Sequence, residues 1–162
     1  MSKIFINYRR AGGAYAAALL DELLSRRFGA DQVFRAARSL RPGADYSDEI
    51  FAAAMNCAAM LVLIDEGWAD YFESNDSDPS MADSWAAEEI EAAMKNAQTV
   101  IPVLLSGARF PTEERLSGGI ARVARLQYLR FDYRNIRQDV EFMSEWIDSL
   151  CPQVKRVRSR SV

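Results

Sequence analysis

Short apolar runs alternating with helical stretches constrain this chain more than any other feature. Residues 3–7, 32–34, 60–64, 99–105 and 126–131 are rich in β-branched, aliphatic or aromatic side chains and have the length of strands. Between them, apolar residues recur at helical spacing. In residues 14–28 these are Ala17, Leu20, Leu23, Leu24 and Phe28, and Gly29 is placed to stop the helix. Asp45 is placed to cap a helix to about residue 58, with Ile50, Phe51, Ala54 and Met55 on its apolar face. Residues 84–95 read as a helix with Ile90, Ala93 and Met94 on one side, and residues 139–150 as a closing helix. Residues 38–45 form a loop that turns at Pro42 and Gly43; residues 73–79 and 107–119 are further loops, the latter with a helical turn at Thr112, Glu113 and Glu114.

This alternation predicts an α/β fold: a flavodoxin-like three-layer arrangement, with a central parallel sheet of about five strands and helices on both faces. Residues 60–64, apolar without a break, suit a strand covered on both sides. A chain of 162 residues is the size of one domain, assigned to residues 1–150. Residues 151–162, carrying Lys155, Arg156, Arg158 and Arg160, read as a basic tail, expected to be a linker to a partner domain.

Composition enters where it narrows the chemistry. Histidine is absent, which excludes Ser–His and Cys–His nucleophile pairs and leaves carboxylates, arginines, hydroxyls and thiols. The net charge of −3 gives no electrostatic reason to expect nucleic acid. No apolar run approaches the ~20 residues of a membrane span, and no apolar leader follows Met1, so no membrane partner and a cytoplasmic location are expected. Cys57 and Cys151 lie far apart in the sequence and read as reduced thiols; no metal and no cofactor are expected.

In parallel sheets, ligands bind beyond the carboxyl ends of the strands. Here those ends offer Tyr8, Arg9 and Arg10; Arg35 and Ala36; Asp65 and Glu66; and Ser106 and Gly107. Arg9 and Arg10, ahead of Gly12, Gly13 and a helix start, suit a phosphate or pyrophosphate, the ordinary alternative being two solvated arginines. No Gly-Lys-Ser/Thr follows, so this is not a Walker loop, and the dinucleotide G-x-G-x-x-G pattern is missing. A phosphoacceptor receiver needs paired acids at this strand end, and Asn7-Tyr8-Arg9 supplies none. The second candidate is Trp85 with Glu89, one helical turn apart on one face, which suits a base or a ribose. The plain alternative is that Glu88, Glu89 and Glu91 are solvent-facing helix formers. It fits Glu91, which has Lys95 at i+4, better than Glu89, which has only Ala93 there.

Several segments together resemble the TIR (Toll/interleukin-1 receptor) family, over about residues 3–150. Ile4-Phe5-Ile6-Asn7-Tyr8-Arg9-Arg10 looks like its opening F-I-S-Y-R-R box, and Phe28-Gly29 with Val33-Phe34 resembles its second strand. Ser39-Leu40-Arg41-Pro42-Gly43 is similar to the BB loop, and Leu61-Val62-Leu63-Ile64 with Trp68 to the third strand. The stretch from Asp83 and Trp85 through Glu89-Ile90 to Ala93 looks like the D-x-W-x-x-x-E-I-x-x-A helix, and Val100-Ile101-Pro102-Val103-Leu104 like the strand that follows.

The resemblance implies one of two roles. Bacterial and plant TIR domains often cleave NAD+ at the nicotinamide–ribose bond, giving nicotinamide and linear or cyclic ADP-ribose; many animal ones only associate with one another. In the enzymes the catalytic glutamate precedes the Ile of the E-I pair, which here is Glu89. The family pattern assigns substrate binding to Tyr8, Arg9, Arg10, Arg38, Ser39, Leu40 and Trp85, and an interaction loop to Arg41, Pro42, Gly43 and Asp45. NAD+ is then the substrate, and a bacterial-type signalling or immune protein, homo-oligomerisation through TIR–TIR contacts and a fused sensor domain are family expectations. The chain departs from the pattern in having Asn7 where Ser is common, and Arg35, Ala36 and Ala37 where an acid usually follows Phe34. The alternatives are a non-catalytic TIR–TIR module and, on a similar sheet, a nucleoside deoxyribosyltransferase.

Overall fold

The computed structural model describes residues 3–40, 42–73, 81–96 and 99–157. Arg41, residues 74–79 of the expected 73–79 loop and the tail residues Arg158 and Arg160 lie outside the described residues, as do the side chains of Asp83 and Ser84, while Glu73 is helical. Five parallel strands, β1 (Ile4–Asn7), β2 (Val33–Phe34), β3 (Ala59–Ile64), β4 (Thr99–Leu105) and β5 (Leu129–Phe131), form one sheet in the order β2-β1-β3-β4-β5. That is the flavodoxin-like order expected from the alternation.

Strand periodicity divides the core in two. Ile4 and Ile6 of β1, Leu61 and Leu63 of β3, and Ile101 and Val103 of β4 face one way. There they meet Leu20, Leu24 and Phe28 of α1 (Arg10–Phe28), together with Val140, Met143 and Ile147 of the C-terminal helix, Ile136–Leu150. Phe5, Phe34, Met60, Val62 and Ile64 face the other way. The short helix α2 (Ala36–Ser39) follows β2, and α3 (Tyr46–Asn56) brings Ile50 and Ala54 to this second face. Trp68, at the start of α4 (Trp68–Glu73), is fully buried there, beside Ile90 and Ala93 of α5 (Met81–Lys95). The Ile136–Leu150 helix is therefore α6, and the three layers are complete.

Asp45 caps α3 as its position implies, accepting from the Asp48 N–H at 3.0 Å. Boundaries shift where contacts across the fold decide them. Helix α1 starts at Arg10 rather than residue 14, which puts Gly12 and Gly13 inside the helix instead of a loop ahead of it. A Cβ at Gly12 would lie 2.3 Å from Asp65 Oδ1, so the missing side chain lets this first turn settle onto the end of β3. Residues 38 and 39, expected in a loop, lie in α2. The fifth strand is shorter than residues 126–131: its pairing with β4 begins only at Leu129, opposite Val103. Glu91 does not pair with Lys95; its carboxylate accepts from the Gly119 N–H at 3.1 Å. Among the described residues no helix is long and apolar enough to cross a membrane.

Candidate active site

At the carboxyl ends of β1 and β2 a cavity of about 450 Å3 opens between α1, α2, α3 and α5. Glu89 lines it from α5, with Trp85 and Ala86 from the same helix. Tyr8 and Arg10 enter from the β1–α1 junction, Arg35 and Leu40 from the segment after β2, and Tyr46 from α3. The Trp85 ring is fixed against Phe51 of α3, with centroids 5.5 Å apart.

Glu89 is 9% exposed, although its neighbour Glu88 faces solvent. The β1 strand dictates this: its last residue, Asn7, is buried and directs its amide at α5. Asn7 Nδ2 donates to Glu89 Oε2 at 2.7 Å and to the Ala86 carbonyl at 3.1 Å, fixing both the helix and the carboxylate. Asn7 Oδ1 is buried with no hydrogen-bond partner among the described residues. Burial pushes the Glu89 carboxyl up to about 7; the Asn7 hydrogen bond opposes that shift and the nearby Glu88 charge adds to it. A carboxyl poised there changes charge near neutral pH, as a group active in both protonation states must.

The arginines expected in one site are separated by the fold. Arg9 is 7% exposed and does not line the cavity. Its Nε and Nη2 donate to Asp65 at 3.1 and 2.7 Å, and its guanidinium lies 5.2 Å from the Tyr71 ring centroid. Asp65 also accepts from the Gly67 N–H at 3.0 Å, and a Cβ at Gly67 would meet Arg9 Nη2 at 2.5 Å. Arg9 thus ties β1 to the β3–α4 turn. Arg38 is turned away from the cavity: Nε and Nη2 each reach Asp21 at 2.7 Å, and Nη2 donates to the Val33 carbonyl at 2.8 Å. The Ser39 hydroxyl does not line the cavity either and accepts from the Arg35 N–H at 3.0 Å. Leu40 lines the cavity, whereas Pro42, Gly43 and Asp45 are solvent-facing and outside it.

Sequence reasoning offered Arg35 as a strand-end residue, but missed Asn7 as a site residue and Tyr46 as a cavity residue. Asn7 had one signal, a polar side chain closing an apolar strand; Tyr46 had none. Asp21 of α1 is buried and accepts from Arg35 Nε at 2.8 Å and from the Ser25 hydroxyl at 2.9 Å, besides Arg38. Burial pushes its carboxyl up, but the hydrogen bonds from Arg38, Arg35 and Ser25 together hold it below the usual range. Among the described residues no three His, Cys, Asp or Glu positions converge to hold a metal.

A family model described as TIR domain matches residues 4–145. Among solved structures, the fold is similar to the TIR domains in the activated Roq1 resistosome directly recognizing the pathogen effector XopQ, with a TM-score of 0.61 at 14% identity, covering 91% of this chain and 99% of that one. It is also similar to the TIR domain of the Toll-related receptor TRR-2 from the lower metazoan Hydra magnipapillata, with a TM-score of 0.58 at 17% identity, covering 93% and 98%. No curated protein sequence matches the chain.

Proposed function

The chain belongs to the TIR domain family, and on that premise we propose that it cleaves the nicotinamide–ribose bond of NAD+, with Glu89 as the catalytic carboxylate. The observation that carries this reading is Glu89 itself, a carboxylate almost withdrawn from water, aimed by Asn7 and lining a cavity walled by Trp85 and Tyr8. A merely solvated helix acid has no reason to be placed so, since burying a carboxyl costs free energy.

The chemistry asks little of the protein beyond placement and charge. The nicotinamide of NAD+ is a cation when bonded to ribose and leaves neutral, so no general acid is needed, consistent with a chain that has no histidine. As the bond lengthens, positive charge moves to the ribose in an oxocarbenium-like state. An ionised Glu89 withdrawn from water stabilises that charge far better than it would in water. The cationic substrate favours the ionised form of Glu89 on binding, offsetting the burial that favours its protonated form. After nicotinamide departs, Glu89 takes a proton from the attacking water, and ADP-ribose forms; attack by a ring of the same molecule gives a cyclic product instead. Trp85 and Tyr8 offer flat faces for stacking.

Solvent-facing Pro42, Gly43 and Asp45 favour a second role beside the first, contact with another TIR domain through this loop. The deciding experiment is NAD+ consumption by the purified chain at high concentration, with products separated by chromatography and Glu89→Ala as the control. Nicotinamide release that vanishes in the variant is the expected result. An absence of turnover even in self-assembled protein would leave only the association role, and turnover of deoxynucleosides instead of NAD+ would point to a transferase.

A further inference from the structure

Asn7 closes β1 and is 1% exposed, yet it is not among the residues that line the cavity. Whatever it contributes to a reaction there passes through Glu89. Both hydrogens of its amide are committed to α5, since Nδ2 donates to Glu89 Oε2 at 2.7 Å and to the Ala86 carbonyl at 3.1 Å. The second bond goes to backbone, so the donor is fixed relative to the helix that carries Glu89. The strand fixes the other side, with Asn7 in register with Val62 of β3.

The amide has one stable orientation. Turned over, its oxygen would face the Glu89 carboxylate and the Ala86 carbonyl, both of them acceptors. In the orientation found, Oδ1 is buried without a partner among the described residues, a cost that an apolar side chain of similar shape would avoid. Packing therefore gives no reason for an amide at this strand end, whereas the donors to α5 do. The other polar or ionisable groups around Glu89 are Tyr8, Arg10, Arg35 and Tyr46 on the cavity wall and Glu88 on its own helix. Strands β3 and β4 carry no ionisable side chain, and Arg122 lies with Glu91 and Lys95 at a separate pocket.

We propose that Asn7 is a positioning residue for the reaction, anchoring Glu89 by Oε2 in its charged form and leaving Oε1 to the ribose. The assignment rests on the reading of Glu89 as the catalytic carboxylate. Burial and the Glu88 charge both favour the protonated carboxyl, and the Asn7 hydrogen bond opposes them. With that bond in place Glu89 changes charge at about 7; without it, the carboxyl keeps its proton through neutral pH and has no charge to offer a ribosyl cation. The residue that closes β1 thus sets the pH at which the site can work, although it touches no substrate atom.

The test compares the full chain with its Asn7→Leu and Asn7→Ala variants in two measurements. The first is an NMR titration of isotope-labelled glutamate carboxyls, with the Glu89 signal identified by its loss in Glu89→Gln. The second is the pH profile of kcat/KM for NAD+. Loss of the Nδ2 donor is expected to raise the Glu89 midpoint by about one pH unit or more, and the acid limb of the profile by the same amount. At pH 6 that is a fall in kcat/KM of about tenfold. A role confined to holding the fold would lower activity by one factor at every pH and leave the midpoint where it is, and that result overturns the proposal. Asn7→Ala decides the matter if leucine disturbs the packing of α5, since both variants lack the donor. A raised midpoint in a chain that cleaves no NAD+ would keep Asn7 as the group that sets the charge of Glu89 and sink the catalytic reading alone.

Discussion

A single side chain sets the pH behaviour of the proposed reaction. Glu89 must be ionised to stabilise a ribosyl cation, and burial pushes its carboxyl up to about 7. The profile of kcat/KM, which reports the free enzyme, is therefore expected to lose activity as pH falls below about 7, tenfold per pH unit well beyond it. A flat profile between pH 5 and 8 in the purified chain would show that Glu89 does not govern the step. Asn7 is the partner in this arrangement, and the sequence registers it only as a mild departure from Ser. Its role became legible because Nδ2 reaches a carboxylate 82 positions away in the chain, a contact no local pattern encodes. The two thiols belong to a different category. Burial pushes Cys57 up to about 12 and raises Cys151 as well, so both stay protonated and act as small core residues.

Between elements, the critical junction is the one that seats α1 on the sheet. The Arg9–Asp65 pair joins β1 to the β3–α4 turn, with side chains 9% and 2% exposed, and Gly12 supplies the space for Asp65. Removing one partner of a buried ion pair strands the other charge, at a cost of about 3–5 kcal/mol, whereas apolar replacement of both is far milder. Asp65→Ala is thus expected to destabilise the fold by several kcal/mol in urea titrations and Gly12→Ala by about 1–3 kcal/mol, since the Asp65 carboxylate must shift. Melting of Asp65→Ala indistinguishable from wild type would remove the structural role given to Arg9. The same elements explain the boundary of α1. Apolar periodicity is legible only from Ala17 onward, while the first turn, Arg10–Gly13, is helical because it rests on Asp65 and Tyr8.

For the molecule as a whole, the ionisable groups divide stability into two pH limbs. Asp21 has its proton affinity lowered on folding, so its contribution is present above the unfolded value of 3.8 and is lost as pH falls through the lower folded value. Glu89 acts in the opposite sense. Its folded value is raised from 4.5 to about 7, so the folded state holds the proton more tightly. Its contribution is fully present below 4.5 and disappears as pH rises through about 7, a loss of about 3 kcal/mol at 1.4 kcal/mol per tenfold in proton affinity. Glu89→Gln, which cannot ionise, is expected to gain unfolding free energy relative to wild type at pH 8 and little at pH 4.5. Equal pH dependence of the two proteins, measured by denaturant unfolding, would show that Glu89 is not withdrawn from water.

What the sequence determined by itself was set by local periodicity. Apolar runs such as those at β3 and β4 are strands in any such context, Gly29 and Asp45 mark helix ends chemically, and βα alternation leaves few topologies besides the parallel order found here. Glu89 shares a helix face with Trp85 one turn away, and the family resemblance singled it out there. Only the tertiary structure decided which arginines face the cavity. Arg9, Arg10, Arg35 and Arg38 are chemically identical, yet acids elsewhere in the chain hold three of them, Asp65 for Arg9 and Asp21 for Arg35 and Arg38. Ion pairing depends on where folding brings charges together, and neither composition nor periodicity carries that information.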